Sequence, residues 1–323
     1  MRTDDVLSLL YTHKGEYLSG QSVADGLGVT RAAIWKAIES LRADGYGIES
    51  SKARGYRLES MPDLLGEREI RLGLDTRVIG KTVHALDETD STNTYASRIA
   101  GEDAPDGTVV VAEYQSKGRG RLGRKWESPR GVNIYTSIIL RPGFPPSGAP
   151  MTTLVASVAL VRPVRELYGL DAGIKWPNDM LISGKKSAGI LTEMSAEPDR
   201  VRHIVLGVGI DVNMPLNAFP EEIRDISTSI MLELGRKVDR AELLKRFLTE
   251  LERCYFMLVN GESARLLDEW RELSAMLGKR VRVTTLTSVT EGTALDISAE
   301  GYLLLKKDDG AVATITSGDV GIL

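Results

Sequence analysis

The spacing of apolar residues changes character along this chain of 323 residues, and those changes bound what it can fold into. Up to residue 44 the period is helical. Val6, Leu7, Leu9 and Leu10 make one stripe, Val23, Ala24 and Leu27 a second, and Ile34, Ile38 and Leu41 a third. From Arg280 onward the pattern alternates, with Val281 and Val283 followed by short runs at 293–297, 302–305 and 311–315. Between them lie strand-like apolar runs mixed with long helices. Three domains are expected, at residues 1–65, 66–276 and 277–323.

The first reads as a winged helix-turn-helix. Ser19 caps a second helix that Gly28 ends, and Thr30 caps a third running from Arg31 to Asp44. After the Gly45/Gly47 turn, 48–50 and 55–58 make a hairpin. The third helix would enter a major groove with Thr30, Arg31 and Lys36 exposed. Ser19 and Gln21 flank it, and the wing offers Lys52, Arg54 and Arg57 to phosphates. Six Lys/Arg against three Asp/Glu fall between Arg31 and Arg57, so positive charge gathers where contact is expected. That modest excess predicts weak binding by one copy. A winged helix used only for protein contact is the alternative.

Met61-Pro62-Asp63 marks a boundary, and the segment to Gly80 reads as a linker helix. The central domain reads as α/β (α+β). Strand-like runs are expected at 108–115, 133–140, 174–182, 188–194 and 204–213, and helices at 151–167, 239–258 and 266–273. Pro163 should kink or break the first of these helices. The alternating C-terminal strands suggest an SH3-like β-barrel.

Composition narrows the function. A net charge of −4 argues against a generic polyanion binder, though not against a local basic face. Cys254 is the only cysteine, which excludes an internal disulfide and fits a cytoplasmic protein. No signal pattern or membrane-spanning apolar run is visible, so no membrane partner is expected. His13, His84 and His203 are far apart in sequence, which disfavours a zinc site or a histidine relay.

Two segments carry chemistry. Gly118-Arg119-Gly120-Arg121-Leu122-Gly123-Arg124-Lys125-Trp126 alternates glycines with cations, a loop able to turn amides and guanidiniums around an anion. Lys175-Trp176-Pro177-Asn178-Asp179, followed by Lys185-Lys186-Ser187-Ala188-Gly189, adds ammoniums, an amide and a carboxylate. Neither is a Walker A loop, because no Gly-Lys-Ser/Thr opens a helix. Alone, the first reads equally as a solvated loop and the Lys pair as a solvated hairpin turn after Ser183-Gly184.

Together they suit the joining of a small carboxylic acid to ATP. Charge builds on phosphoryl oxygens in that reaction, so fixed cations and Mg²⁺ carry the catalysis and no protein nucleophile is required. Arg119, Arg121, Arg124, Lys175, Lys185 and Lys186 would supply the cations, and Asp179 would hold Mg²⁺. Ser91-Thr92-Asn93 reads first as a helix cap and second as a ligand-binding helix terminus. Gln115 is placed to meet a neutral polar head group. Trp126 and Trp176 read as core or pocket wall. Gly207-Val208-Gly209-Ile210-Asp211-Val212-Asn213 lacks the third glycine of a dinucleotide fingerprint and continues as a strand.

At these motifs, and at the Ser-Gly-x₇-Gly-x-Thr-Arg-Ala-Ala-Ile pattern from Ser19 to Ile34, the chain resembles biotin protein ligases of the bifunctional, repressor type. The resemblance covers essentially the whole chain. It implies a catalytic domain of class II synthetase/biotin-lipoate ligase type and a two-step reaction. Biotin and MgATP give biotinoyl-5′-AMP, and the biotinoyl group then passes to a lysine of a biotin carboxyl carrier protein. By resemblance Ser91, Thr92, Asn93, Gln115, Gly118, Arg119, Gly120, Arg121 and Trp126 hold biotin or the adenylate, with Lys175, Asn178, Lys186, Gly189 and Asn213. Lys186, Arg121 and Asp179 would be the catalytic set. The glycine-arginine loop is expected to order over the ligand as a lid. The adenylate would serve as corepressor, promoting a homodimer on operator DNA. Open alternatives are a lipoate-type ligase and a DNA-binding biotin sensor without ligase activity.

Overall fold

Side-chain caps fix the first helices of the computed structural model, which describes residues 3–285 and 287–323. After α1 (Thr3–Thr12), Ser19 Oγ accepts from the Ser22 amide to open α2 (Gly20–Leu27), which Gly28 ends at φ 64. Thr30 Oγ1 accepts from the Ala33 amide to open α3 (Arg31–Ala43). Strands β1 (Gly47–Ser51) and β2 (Gly55–Ser60) form the antiparallel wing, and the short α4 (Glu67–Arg71) follows. The three predicted stripes meet: Leu7, Leu10, Val23, Ile34, Ile38 and Leu41 share one core with Ile48 and Leu58. These elements belong to one unit, Met1–Asp75, and the rest of the chain, Thr76–Leu323, to a second.

The second unit is built on a seven-stranded sheet ordered β3-β4-β5-β9-β8-β7-β6. Its strands are β3 (Val83–Leu86), β4 (Val109–Ala112), β5 (Ile134–Leu140), β6 (Ala172–Lys175), β7 (Asp179–Ile182), β8 (Lys185–Ala196) and β9 (Val201–Ile210). Only β3 and β4 pair in parallel. α5 (Thr92–Gly101) packs on β4, β5 and β9, while α6 (Ala149–Tyr168) lies over β6 to β9. Two short helices, α7 (Glu221–Arg224) and α8 (Ile230–Leu234), lead into α9 (Arg240–Val259) and α10 (Ser263–Leu273), which cover α6. α6 is therefore buried nearly all round, as its apolar sequence requires.

Two expectations are corrected. Pro163 does not break α6, which runs unbroken from 149 to 168. Proline forfeits one backbone bond at a cost of about 3 kcal/mol, and the packing of this sandwiched helix outweighs it. The run 174–182 is not one strand but a hairpin, β6 and β7 joined through Trp176-Pro177-Asn178. The C-terminal strands β10 (Arg280–Thr284), β11 (Val289–Ile297), β12 (Leu303–Lys306), β13 (Val312–Ile315) and β14 (Asp319–Ile322) form an antiparallel sheet ordered β13-β12-β11-β10-β14. It docks on the central sheet through Trp176, which is buried and donates its indole N–H to the Gly301 carbonyl at 3.0 Å. Trp176 is thus core at the seam between the two sheets.

The first unit has its own core, so a cavity there is felt locally. Leu41→Ala should lower that unit's stability by about 2–4 kcal/mol, read as an earlier urea transition in its helical signal.

Candidate active site

Two consecutive hairpins assemble the charged centre. A three-residue turn puts Lys175 opposite Asp179, and their charged groups meet at 2.9 Å. Strand β7 then passes to β8 through Ser183-Gly184, at φ 51 and 80, the paired positive values of a two-residue hairpin turn. This divides the Lys185-Lys186 pair. Lys185 is exposed, as a hairpin turn would have it, whereas Lys186 Nζ lies 2.6 Å from Asp179 Oδ1. Burial alone would raise the Asp179 carboxyl, but Lys186 and then Lys175 outweigh it and hold the group below its usual value.

A neutral, hydrogen-bonding end adjoins this centre. Ser91 precedes α5 but its side chain caps nothing; the Gln115 amide oxygen does that work, accepting from Thr92 N at 2.9 Å and Thr92 Oγ1 at 3.1 Å. Gln115 Nε2 donates to Ser128 Oγ at 2.9 Å. Ser137 Oγ lies 2.8 Å from Thr92 Oγ1 and 2.7 Å from Asn93 Oδ1, and Asn93 Nδ2 donates to Glu193 at 2.8 Å. The capping reading of Ser91-Thr92-Asn93 gives way to a buried polar network facing a cavity.

The glycine-arginine loop runs across that cavity. Arg119 pairs with Glu193 at 2.8 Å, and Arg121 Nη1 donates to Asn178 Oδ1 at 3.0 Å. Trp126 stands against the floor strands, with Lys186 Nζ 5.5 Å from its ring. A Cβ at Gly209 would come within 2.6 Å of the indole, one at Gly189 within 3.1 Å, and one at Gly207 would collide with the Asn93 amide. The Gly-Val-Gly pattern is therefore cleared space for Trp126 and Asn93. The cavity has a volume of about 300 Å³ and continues past Ile190 and Val208 to an apolar end at Met214, Phe219, Ile223 and Ile226.

Of the residues singled out from sequence, Ser91, Thr92, Asn93, Gln115, Arg119, Gly120, Arg121, Trp126, Lys175, Asn178, Asp179, Lys186 and Gly189 all line this cavity. Gly118 and Asn213 do not. Gly118 is packed against the Trp126 carbonyl and Ser128, where a Cβ would not fit. Asn213 spends its amide on Val238, donating to the carbonyl at 2.9 Å and accepting from the amide at 3.0 Å, and so braces a turn. The expectation of Mg²⁺ on Asp179 does not fit the donor set: both carboxylate oxygens face ammoniums. Among the described residues no three His, Cys, Asp or Glu side chains converge as a metal site.

Sequence reasoning missed Ser128, Ser137 and Glu193, and Asp319 from the C-terminal sheet. It also missed Phe219, Ile223 and Ile226, whose signal was apolar residues in a stretch rich in turns. Asp211 is buried in the cavity floor, with Oδ1 accepting from Asn133 Nδ2 at 2.8 Å. Burial pushes its carboxyl well above the ordinary value, against the pull of Lys186 and the Asn133 bond.

On the winged unit, Ser19, Gln21, Thr30, Arg31, Lys36, Lys52 and Arg54 are all exposed. Ser19 and Thr30 serve as caps, and Gln21 donates to Asp25 at 2.7 Å. Arg54 lies 3.9 Å over the Tyr17 ring. Arg57 is paired with Glu49 and Glu59, so the wing's free charge falls to Lys52 and Arg54. Trp35 on α3, 55% exposed, is an unforeseen addition to this face.

The chain resembles known proteins over most of its length. Residues 85–211 match the profile of the biotin/lipoate A/B protein ligase family, 2–57 an HTH domain, and 276–322 a biotin protein ligase C terminal domain. The chain is 43% identical to the bifunctional ligase/repressor BirA of Bacillus subtilis over 98% of its own length and 97% of that protein's. It is 32% identical to the protein of the same name from Escherichia coli, over 95% and 94%. The solved biotin protein ligase of Aquifex aeolicus in complex with biotin and ATP superposes with a TM-score of 0.66 at 27% identity, covering 75% of this chain and all of that one. Among the described residues no helix is long and apolar enough to cross a membrane.

The buried Asp211 gives a pH test. A carboxyl whose folded value is raised contributes stability in acid and loses it as pH rises through that value. Asp211→Asn keeps an oxygen for Asn133 and removes the charge. The variant should melt above wild type at about pH 8, with the gap closing towards about pH 4; equal melting temperatures throughout would refute the raised value.

Proposed function

The chain belongs to the biotin protein ligase family, in its bifunctional ligase/repressor branch, and on that premise we propose that its cavity activates biotin with ATP and passes the biotinoyl group to a lysine of a biotin carboxyl carrier protein. One observation carries this reading: a single cavity joins an uncharged hydrogen-bonding end to a cluster of fixed cations. In the first step a biotin carboxylate oxygen attacks the α-phosphorus of ATP. The bond to the β-phosphate breaks and pyrophosphate leaves with its electrons. In the second, a neutral lysine amine of the carrier attacks the acyl carbon, AMP leaves, and the amine's surplus proton goes to solvent.

The roles follow from chemistry at each end. Thr92, Asn93 and Gln115 surround the neutral ureido head, with Ser137 bracing Thr92 and Asn93 from behind and Ser91 closing that end. Lys186 meets the acyl and phosphoryl oxygens as a compact charge that Asp179 already holds in place. Arg121 and Arg119 cover the adenylate, and Phe219, Ile223 and Ile226 give an apolar bed for a base. Asp179 orients the lysines and would not be a ligand of Mg²⁺, which would come with the triphosphate and supply charge screening there. The winged unit binds operator DNA through Arg31, Lys36, Lys52 and Arg54. Two adenylate-bound copies pair as a homodimer on two half-sites in the cytoplasm.

Biotin-dependent exchange of labelled pyrophosphate into ATP tests the ligase reading. Exchange driven by lipoate instead would select the lipoate-type alternative, and tight biotin binding with no exchange would select a sensor. Lys186→Ala should slow adenylate formation by about 10²–10³ in kcat and also lower the melting temperature, because it leaves the buried Asp179 carboxylate with Lys175 alone. An unchanged exchange rate in that variant would remove Lys186 from the mechanism.

A further inference from the structure

Ahead of its anchor at Trp126, the loop that covers the cavity has nothing apolar to hold it down. From Arg119 to Lys125 no residue is buried, and Leu122, at φ 55, is 65% exposed. Across the loop, backbone bonds run from the Gly120 amide to the Arg124 carbonyl at 2.7 Å, from the Arg124 amide to the Arg121 carbonyl at 3.2 Å and from the Trp126 amide to the Gly118 carbonyl at 2.9 Å. Its placement depends on its cations. Arg119 is held by Glu193 of the central sheet and Arg121 by Asn178 of the first hairpin. The remaining tethers come from the C-terminal sheet. Arg124 Nη2 donates to Asp319 Oδ2, Arg121 Nη1 stands 3.9 Å from Asp319 Oδ1, and the Gly318 carbonyl accepts from the Arg121 guanidinium at 3.4 Å.

Asp319 opens β14 opposite Thr284 of β10, so the carboxylate is mounted on a paired strand and does not travel with the loop. It also lines the cavity. From these contacts we infer that Asp319 is a positioning residue: it latches Arg121 and Arg124 so that the lid stays over the bound adenylate until a carrier lysine arrives. The inference rests on the ligase reading above. Two physical consequences make the latch effective. One carboxylate against two guanidiniums leaves the lid net cationic, so the latch does not cancel the attraction for phosphate. Guanidiniums already fixed by Asp319 also lose less freedom when a ligand binds.

Loss of a latch differs from loss of a catalytic group, since it shortens the life of the adenylate more than it slows its formation. Wild type, Asp319→Asn, Asp319→Glu and Arg124→Gln would be loaded with labelled ATP and biotin, then chased with unlabelled biotin while adenylate release is followed. We expect Asp319→Asn and Arg124→Gln each to release adenylate about five-fold faster, as partly exposed ion pairs allow, with kcat for adenylate formation changed much less in Asp319→Asn. Asp319→Glu should restore most of the retention. The double variant should release no faster than either single, because both ends belong to one contact. Should Asp319→Asn fail to fold, Arg124→Gln tests the same contact from the exposed loop. Release at the wild-type rate from folded variants, with adenylate forming normally, overturns the latch. A wild-type protein that forms no adenylate overturns the ligase reading itself.

Discussion

The site depends on one buried carboxylate held between two ammoniums. Asp179 can be charged inside the protein only because Lys175 and Lys186 flank it, and both are delivered by backbone geometry. The turn at 176–178 sets Lys175 across from Asp179, and the two-residue turn at Ser183-Gly184 brings the chain back so that Lys186 reaches the same group. Lengthening either turn by one residue would carry a lysine to the other face of the sheet. Two ammoniums against one carboxylate leave a surplus positive charge, held rigidly where a phosphoryl group gains charge. Such preorganised charge does not have to reorient during reaction, which is the usual source of the largest catalytic effect.

Around that centre the sheet gives up strand-forming side chains for room. Gly189, Gly207 and Gly209 sit on the adjacent strands β8 and β9, where glycine weakens a strand. Their missing Cβ atoms let the Trp126 indole and the Asn93 amide lie against the floor. The other side of the bargain is the packing of α6, buried between sheet and helices, which keeps those strands in register despite the glycines. Rigidity at the floor contrasts with the covering loop, which ahead of Trp126 is held by ion pairs and hydrogen bonds. Ionic strength should therefore act on the lid before it acts on the floor.

How far the sequence could be read follows from the range of each interaction. The caps at Ser19 and Thr30, the stop at Gly28 and the apolar stripes of α1 to α3 are local, and they reappear nearly residue for residue. The resemblance to a known family carried most of the cavity lining, because those residues lie in contiguous motifs. Long-range facts were out of reach. Asp319 meets Arg124 across 195 positions of sequence. Nothing local announces that Glu193 takes both Asn93 and Arg119, or that Asn213 faces Val238 and not the cavity. Pro163 misled for the same reason, since its local penalty was real and its compensation was tertiary.

The same distinction bears on the winged unit. Composition suggested three wing cations, but Arg57 is claimed by Glu49 and Glu59, contacts visible only once the hairpin pairs Glu49 with Arg57. What remains, Arg31 and Lys36 on the helix with Lys52 and Arg54 on the wing, amounts to few phosphate contacts. Since each neutralised phosphate adds to both affinity and salt dependence, so few contacts would give one unit weak, shallowly salt-dependent binding on the proposed reading. On the proposed reading, tight binding to DNA would take two copies acting together, because linking two weak contacts multiplies their effect without any new interaction. A ligase that also represses would gain a switch from this weakness. A unit too poorly charged to bind alone responds to whatever brings a second copy beside it, and a retained adenylate is a signal the enzyme makes for itself.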